Sequence, residues 1–435
     1  MHQFSIKIGF AILLLISTSS IAQQISKTEQ KIIDLVSKNH EEAIQLLEKT
    51  VNINSGTMNQ DGVKKVADVF KESFQQIGFT TRWIEQASEV NRAGHFFAET
   101  TPKKVIGKKI LLIGHFDTVF EENSPFQTYI RKDSIAYGPG INDMKGGNVL
   151  ILYALKALKQ AGVLNNAQII AAFTGDEEDT GNPISMSRKD LIDAAKRSNV
   201  ALGFETATGF QYATVARRSS SSWELEVTGK RAHSSGIFSE NTGAGAIFET
   251  ARILNSFYQE LPETFVTFNA SVILGGSTVQ YDAENNSGFS EGKSNIVPEK
   301  TFVHGDLRCI SREQIQQIET KMREIVSKNL PQTSATISFK HHFPPMKPTD
   351  GNYQLLKVLN QVSLDLNQGE VKVHDPGKRG AGDISFVADY VDGLDGLGAL
   401  GSGAHSFNEN INLNQLKLQT QRIALLIYRL IQTQL

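Results

Sequence analysis

The segment Lys109–Val119, KILLIGHFDTV, decides the fold. Its apolar residues run on without a polar break until His115, which is typical of a strand buried on both faces of a parallel sheet. Similar runs follow at Ala167–Thr174 and Val200–Phe204, and Lys145–Ala161 between the first two has helical spacing. Strands that alternate with helices predict an α/β layered sheet, which binds its ligands at the carboxyl ends of the strands.

The sequence pattern changes after residue 216. Trp223–Thr228, WELEVT, alternates apolar and polar residues, as a strand with one solvated face does. The following segments predict the order strand, helix, strand, strand, helix, strand, which is the split βαβ order of a ferredoxin-like α+β domain. We therefore predict a catalytic α/β domain over 23–216 and 343–435, interrupted by an inserted lid or dimerisation domain over 217–342.

Length and composition limit the class of protein. The 435 residues exceed the roughly 250 at which a single domain usually stops growing. Lys and Arg number 44 against 46 Asp and Glu, and no basic block stands out, which argues against a nucleic-acid-binding or membrane-binding module. The one cysteine, Cys309, excludes an intrachain disulfide and a multi-cysteine zinc site, and we expect it to be buried.

The first 22 residues have the pattern of a secretory signal peptide. Lys7 precedes the apolar run Ile8–Ile16, and small residues lead to a predicted cleavage after Ala22. The alternative is a membrane anchor, but this run is far shorter than the roughly 20 residues that a spanning helix needs. We expect a secreted or periplasmic protein with no membrane attachment after cleavage.

Polar residues follow the predicted strands and suggest metal chemistry. His115 and Asp117 stand two apart, and a metal-bound imidazole usually has its second nitrogen held by a carboxylate; the alternative is a structural His–Asp hydrogen bond. Asp143, in GPGINDMKGG, is either a ligand or a helix N-cap. Glu177 and Glu178, in FTGDEEDTG, repel each other unless a cation or a solvated turn relieves them.

Two further residues complete a set. Glu205 follows the third apolar strand in LGFET, and His405 lies in the glycine-rich GSGAHSFNE, where a lone histidine is most often a loop residue. Two histidines and three carboxylates are what two zinc ions need when one carboxylate bridges them, and one acid is then left as a general base. The ordered set HxD, ND, EE, E and H therefore predicts a dinuclear hydrolytic site.

In this ordered set the chain resembles the dinuclear zinc exopeptidases and deacylases that include glutamate carboxypeptidase, aminoacylase and succinyl-diaminopimelate desuccinylase. The resemblance covers essentially the whole chain after residue 22. It implies two zinc ions, replaceable by cobalt or manganese, with Glu177 as the general acid/base and Asp117 as the partner of His115. It also implies the metal ligands: His115, Asp143 and Glu205 on one zinc, and Asp143, Glu178 and His405 on the other, with Asp143 bridging.

Motifs outside this set match the same family. VTGKRAHSSG matches the lid histidine motif at His233, which the resemblance places at the developing oxyanion and which the partner subunit of a homodimer can supply. SNIVPEKTFVHGDLR matches the segment with a lid asparagine and arginine, here Asn295 and Arg308, and RGAGDIS matches a substrate-binding loop at Gly382. The chain has Pro139 where family members often have arginine. The resemblance also implies a cis peptide bond after Asp143.

These features predict the reaction class. We expect a secreted zinc-dependent hydrolase in which a zinc-bridging hydroxide, formed with Glu177 as base, attacks an amide next to a free carboxylate. The planar guanidinium of Arg308 suits that carboxylate, although an ion pair with Asp306 or Glu299 is the alternative. The substrate is a small peptide or an N-acyl amino acid, which leaves carboxypeptidase, dipeptidase and N-acyl amino acid deacylase open. The alternative hypothesis from a different functional class is a non-catalytic metal- or peptide-binding protein.

Overall fold

A computed structural model describes residues 25–283 and 285–433; the predicted signal peptide lies outside them. Up to residue 216 the chain alternates helices and short strands, broadly as predicted. The elements are α1 (Lys27–Lys38), α2 (His40–Val51), α3 (Gln60–Gln76), β1 (Thr80–Ile84), β2 (His95–Glu99), β3 (Ile110–His115), β4 (Ile130–Lys132), β5 (Ile135–Tyr137), α4 (Gly146–Ala161), β6 (Ile169–Thr174), α5 (Ile184–Ser187), α6 (Lys189–Ala195), β7 (Val200–Gly203) and β8 (Tyr212–Ala213).

The remaining elements belong to two segments. Residues 217–342 are the insert, and the residues after 342, which we call the return, bring the chain back to the first sheet. The insert contains β9 (Ser220–Gly229), α7 (Gly245–Glu260), β10 (Thr267–Gly276), β11 (Thr278–Asp282), β12 (Ser287–Glu291), β13 (Lys300–Arg308), α8 (Arg312–Val326) and β14 (Thr333–Phe343). The return contains α9 (Asp350–Asp365), β15 (Lys372–Val373), β16 (Asp392–Leu394), β17 (Gly401–Ser402), β18 (Asn410–Asn412) and α10 (Leu413–Gln432).

The central sheet has six strands in the order β1-β2-β6-β3-β7-β16. Strand β3 lies in its middle and runs parallel to both β6 and β7, and every residue of these three strands is buried. This confirms the predicted buried parallel strands and the α/β class. Because the three strands are parallel, the polar residues that follow them meet at one edge of the sheet.

Aromatic packing fixes that edge. The rings of Phe116 and Phe173 stack with their centroids 4.8 Å apart, and Phe70 packs on Phe116 at 5.0 Å. Phe116 directly follows His115, and Phe173 lies four residues before Glu177. The backbone on either side of the polar residues is therefore held by a buried core.

The insert has its own sheet and core. Its four antiparallel strands lie in the order β10-β13-β9-β14, which is the ferredoxin-like order predicted. Helices α7 and α8 bury a separate hydrophobic cluster against it that includes Trp223, Ile253, Phe257 and Ile318. Cys309 belongs to this cluster and is fully buried, as expected, and burial raises the pKa of its thiol to about 12.

The hairpin formed by β11 and β12 was not predicted. Its sequence, STVQYDAENNSGFSE, is mostly polar, and the alternation of apolar and polar residues extends only over Thr278–Asp282. Packing stabilises it instead: the ring of Tyr281 stacks on that of Phe302 with centroids 4.3 Å apart. An alternating stretch of five residues is too short to be a strong signal for a strand.

Within the residues that the structure describes, no helix combines the length and the apolar character needed to cross a membrane.

Candidate metal centre

Strand ends position four acidic or imidazole side chains. His115 is the last residue of β3, Glu177 and Glu178 follow β6 within four residues, and Glu205 comes two residues after β7. All of them are at the same edge of the central sheet, as predicted from the carboxyl-end rule.

Two loops bring the other predicted ligands to this edge. Asp143 lies in Ile141–Lys145, a widened helical turn directly before α4, and the Asp143–Met144 peptide bond is cis, as the resemblance implied. The N-cap of α4 is Lys145 and not Asp143, so the N-cap alternative is wrong. His405 lies between β17 and β18, and its side chain is 56% exposed, which leaves this side of the cluster open to solvent.

Asp143 connects two groups of side chains. Its Oδ1 atom lies 3.3 Å from Nε2 of His115, which in turn lies 3.5 Å from Oε1 of Glu205. Its Oδ2 atom lies 3.3 Å from Nε2 of His405, which is 3.2 Å from Oε2 of Glu178. These are the two ligand sets implied by the resemblance, with Asp143 common to both.

The spacing of the ligand atoms fits metal ions. Tetrahedral zinc with ligands at 2.0–2.2 Å separates neighbouring ligand atoms by about 3.3 Å, and the four N···O distances above span 3.2–3.5 Å. Among the described residues, the second oxygen of Glu178, Oε1, is buried without a hydrogen-bond partner, and this side chain is only 7% exposed. A solvated acidic turn is therefore wrong for Glu178, and the donor set fits two divalent cations.

The electrostatics of the cluster support the same assignment. Burial, together with the charge of Asp143, raises the pKa of Glu178 to about 7 despite its hydrogen bond with His405. Hydrogen bonds with Asp143 and Glu178 raise the pKa of His405 to about 11. Carboxylates packed this closely at low exposure are stable as anions only beside positive charge, which bound cations supply.

Asp117 contacts one predicted ligand and the loop that carries another. It follows β3 rather than lying on it, and its Oδ1 atom is 3.3 Å from Nδ1 of His115. The same carboxylate accepts the backbone N–H groups of Glu177 and Glu178, each at 3.0 Å, and the hydroxyl of Thr57 at 2.7 Å. The predicted contact with His115 is present, and the carboxylate also holds the loop of the two glutamates.

Glu177 lies beside the first group of ligands. Its carboxylate oxygen, an imidazole nitrogen of His115 and a carboxylate oxygen of Glu205 all lie within 4.8 Å of one another. Burial and then the charge of Glu205 raise the pKa of Glu177 well above its ordinary value. This position is next to the cluster and outside the two sets that share Asp143, and it is compatible with the predicted role of Glu177 as general acid/base.

The insert residues lie apart from this cluster. The backbone N–H of Ser234, directly after His233, donates to Asn295 at 2.9 Å, so the two predicted lid residues are neighbours. His233 is exposed, and its Nδ1 atom lies 2.8 Å from the hydroxyl of Ser235. Arg308 pairs with Asp306 at 3.2 Å. Within the described chain, no hydrogen bond or ion pair joins His233, Asn295 or Arg308 to the metal ligands.

Gly382 makes room for a buried arginine that sequence reasoning missed. A Cβ at Gly382 would meet the guanidinium carbon of Arg217 at 2.9 Å. Arg217 donates to Asp395 at 2.5 Å and to the carbonyls of Gly380 and Ala381, and therefore fixes the RGAGDIS loop. No substrate contact is part of this arrangement, and the substrate-binding role of Gly382 stays a prediction.

Glu409 is a second residue that was missed. It is fully buried; its Oε1 atom accepts the N–H groups of Asn142 and Asp143 at 2.7 and 2.9 Å, and Oε2 accepts that of Gly140 at 3.1 Å. Burial raises its pKa to about 7 even so. It lies four residues after His405, and nothing in the sequence marks it apart from that proximity.

The same contacts explain how Pro139 is accommodated. It sits in a turn whose next residue, Gly140, has a left-handed backbone (φ 68°), where a Cβ would come within 2.3 Å of Thr118. The glycine and the carboxylate of Glu409 together shape this turn. Proline at position 139 is therefore compatible with the observed position of Asp143 in the cluster.

A buried ion network lies under the glutamate loop and was also missed. Arg188 pairs with Asp176 at 2.5 Å and with Asp383 at 2.7 Å, and Thr174 donates to Asp383 at 2.5 Å. Asp176 precedes Glu177, and Asp383 belongs to RGAGDIS. The network therefore ties this motif to the loop of the two glutamates. In the sequence, Asp383 is 195 residues from Arg188 and 209 residues from Thr174, so residue spacing does not predict this network.

The chain is similar in sequence to proteins of known or assigned activity. The chain is 26% identical over 377 residues to carboxypeptidase G2 of a Pseudomonas species, covering 83% of each chain. It is 25% identical over 397 residues to a probable succinyl-diaminopimelate desuccinylase of Staphylococcus aureus, covering 85% of this chain and 93% of the relative.

A solved structure shows the same fold. A Bacillus subtilis protein described as a dinuclear metal binding peptidase superposes with a TM-score of 0.64 at 14% identity, covering 91% of this chain and 99% of that one. The family model for peptidase family M20/M25/M40 matches residues 111–429, which contain all five predicted metal ligands. The chain therefore belongs to peptidase family M20/M25/M40 and is a hydrolase of amide bonds.

Proposed function

We propose that the protein is a zinc-dependent hydrolase that cleaves an amide bond next to a free carboxylate, as in the C-terminal residue of a peptide or an N-acyl amino acid. One observation carries the proposal. The carboxylate of Asp143 is shared between His115 with Glu205 and His405 with Glu178, and Glu177 lies beside the first pair.

Two zinc ions are the proposed cofactors, with cobalt or manganese as replacements. Imidazole and carboxylate ligands without sulfur suit catalytic zinc, and the exposed side of His405 leaves room for substrate. Bound zinc supplies the Lewis acidity that makes a water molecule a nucleophile near neutral pH. The likeness to a dinuclear metal binding peptidase supports the metal count.

The chain's own residues then divide the remaining work. Glu177 accepts the proton of the attacking water and delivers it to the leaving amine, because its carboxylate lies beside His115 and Glu205 and outside the two sets that share Asp143. His233 donates a hydrogen bond to the developing oxyanion once the insert closes over the cluster. Arg308 leaves Asp306 for the substrate carboxylate, with Asn295 beside the bound substrate.

A homodimer through the insert is part of the proposal. Helix α7 exposes Ile247, Phe248 and Tyr258, and the ring of Phe238 packs on Phe248 with centroids 5.5 Å apart. Exposed apolar residues grouped on one element mark an association surface. Sedimentation of the purified chain tests it: a dimer is expected, and a monomer at micromolar concentration overturns it.

The site of action is proposed from the sequence alone. Residues 1–22 have the signal-peptide pattern, so the mature enzyme works in the periplasm or outside the cell. Mass spectrometry of the mature protein tests this, with a new amino terminus at Gln23 expected and an intact Met1 overturning it.

A second candidate within the class is an N-acyl amino acid deacylase. The similarity to a probable succinyl-diaminopimelate desuccinylase favours it, while that to carboxypeptidase G2 favours peptide substrates. A dipeptidase is the remaining enzyme alternative. A non-catalytic binding protein is disfavoured because Glu177, an acid beyond the five predicted ligands, lies beside His115 and Glu205.

Chelator-sensitive hydrolysis tests the proposed function. Purified enzyme is incubated with N-acyl amino acids, dipeptides and folyl-type glutamates, and products are identified by mass spectrometry with and without a chelator. We expect release of a free amino acid that stops with chelator and returns with zinc. Metal binding without hydrolysis of any substrate would instead favour the binding-protein alternative.

A further inference from the structure

Three phenylalanine rings pack together on two loops that carry residues of the proposed metal centre. Phe120 and Phe126 lie on the loop after β3, and Phe407 lies on the loop between β17 and β18 that carries His405. The ring centroids of Phe120 and Phe126 are 5.2 Å apart, and the ring of Phe407 lies 6.4 and 6.1 Å from them. We call these three residues the aromatic patch. Phe120 is buried and Phe407 is 61% exposed, so the patch is anchored in the protein and presents one ring to solvent.

The chain on both sides of Phe407 is fixed at the proposed metal centre. Two residues before it, the Nε2 atom of His405 lies 3.3 Å from the Oδ2 atom of Asp143. Two residues after it, Glu409 accepts the backbone N–H of Asp143 at 2.9 Å. Two residues of chain span about 7 Å at most, so the backbone of Phe407 lies within that distance of the backbones of His405 and Glu409. A side chain on the substrate residue next to the scissile amide can therefore reach the exposed ring.

The loop that supports this ring is fixed at the same centre. Phe120 follows Asp117 by three residues, and the side-chain amide of Asn54 donates to the carbonyl of Phe120 at 2.9 Å. Two further apolar residues on these segments are solvent-exposed, Met58 at 50% and Val119 at 38%. The segments on either side of Asp117 therefore offer apolar surface before any ligand arrives.

An exposed ring with these supports favours an apolar ligand. Single exposed apolar side chains are common on protein surfaces, but Phe407 is held by two other rings beside the proposed reacting atoms. An apolar group that covers the ring removes apolar surface of both partners from water, and a preformed contact costs little ordering on binding. The face of an aromatic ring carries partial negative charge, so a carboxylate gains nothing there.

The position of Glu177 indicates which half of the substrate meets the patch. Glu177 lies beside His115 and Glu205, and in the proposed function it protonates the leaving amine. The amine half then lies towards this first group of ligands. The acyl half lies towards the second group, which contains His405, and Phe407 belongs to the same loop.

We propose that the aromatic patch is a subsite for the acyl half of the substrate and that it binds a large apolar group, best an aromatic one, with Phe407 as the residue that determines this specificity. The inference rests on the proposed function and narrows it. The enzyme releases a C-terminal residue fastest when the preceding residue or the N-acyl group carries such a side chain.

Acyl groups of different character test the subsite. Let X be the C-terminal residue that the enzyme releases fastest in saturating zinc. Values of kcat/KM are measured for N-acetyl-X, for N-(3-phenylpropanoyl)-X and for the charged N-succinyl-X. We expect N-(3-phenylpropanoyl)-X to be favoured about tenfold or more over both others, because only its acyl group buries a ring.

Three variants assign the preference to Phe407. Phe407→Ala removes the exposed ring, Phe407→Tyr keeps it, and Phe289→Ala removes a ring of similar exposure from β12 of the insert. The ratio of kcat/KM for N-(3-phenylpropanoyl)-X over N-acetyl-X should fall severalfold in Phe407→Ala. It should keep most of its wild-type value in Phe407→Tyr and all of it in Phe289→Ala. Because the ratio compares two substrates of one enzyme, a general loss of activity cancels.

The outcomes separate the two proposals. Equal kcat/KM for the three wild-type substrates, faster release from N-succinyl-X, or a ratio unchanged in Phe407→Ala overturns the subsite and leaves the proposed function intact. Sedimentation of Phe407→Ala as a monomer where the wild type is a dimer, with the ratio unchanged, would make the patch a contact between two copies of the chain and likewise overturn the subsite. No chelator-sensitive release of X from any of the three substrates overturns the proposed function and the subsite with it.

Discussion

The Oδ1 atom of Asp117 lies 3.3 Å from the Nδ1 atom of His115. The same carboxylate accepts the backbone N–H groups of Glu177 and Glu178, so one buried side chain orients a ligand ring and the loop that carries the proposed acid/base. Partners of this kind fix the tautomer of a metal-bound imidazole and raise its basicity.

Asp117→Asn should therefore weaken metal binding. The amide nitrogen cannot accept the N–H group that the lost oxygen accepted. The ion pair with His115 loses its negative charge, although the Nδ1 atom of His115 keeps its 3.0 Å hydrogen bond with the backbone carbonyl of residue 117. We expect zinc affinity to fall about 10–100-fold, measured by competition with a chromophoric chelator. Asp306→Asn, at a half-exposed carboxylate of the insert, is the control. Unchanged affinity in Asp117→Asn would show that this carboxylate does not support the ligand.

Glu409→Gln should destabilise the turn that presents Asp143. Glutamine keeps one accepting oxygen, but its nitrogen would face the N–H group of Gly140 or those of Asn142 and Asp143. A buried donor left unpaired costs about 1–3 kcal/mol of unfolding free energy, which urea denaturation measures. Glu370→Gln, at an exposed carboxylate, should change little. Equal stability of the two variants would contradict the role of Glu409.

His233→Ala should lower turnover without removing metal. The histidine is proposed to act on the oxyanion and touches no ligand in the described structure, so kcat should fall about 100-fold while zinc content stays at the wild-type level. His341→Ala, another exposed insert histidine, should keep full activity. Loss of zinc from His233→Ala would rule out the oxyanion role.

The effect of Arg308→Lys on KM should depend on whether the substrate has a free carboxylate. Lysine keeps the charge but cannot form the planar two-point contact. KM for substrates with a free carboxylate should rise about tenfold, while KM for the corresponding carboxamides stays the same. A similar rise in KM for both kinds of substrate would contradict a contact between Arg308 and the substrate carboxylate. The ion pair with Asp306 would then be the only role of Arg308 that the structure supports.

Much of the fold could be predicted from the sequence, because the local patterns of apolar and polar residues agree with the final structure. The strands around Lys109–Val119 and Val200–Phe204 are buried on both faces, so their apolar runs are unbroken. The order of elements in the insert predicted its sheet. The metal ligands could be proposed because each follows a strong strand or a glycine-rich turn.

The residues that were missed depend on distant partners. Arg188, Arg217 and Glu409 are single charged residues whose buried partners lie far away along the chain. A charge run or a spacing rule cannot reveal such a residue, because only the folded chain shows that its carboxylate or guanidinium is buried.

The adjacent pair Glu177 and Glu178 gives the most direct test of the whole account. Each is changed to glutamine, and zinc content and amide hydrolysis are measured on the same preparations. We expect Glu177→Gln to keep its zinc and to lose about 1,000-fold in kcat, and Glu178→Gln to lose metal because its Oε2 atom belongs to the second ligand set. Equal metal loss in both variants, or hydrolysis undiminished in Glu177→Gln, would contradict the assignment of a dinuclear site with Glu177 as its acid/base.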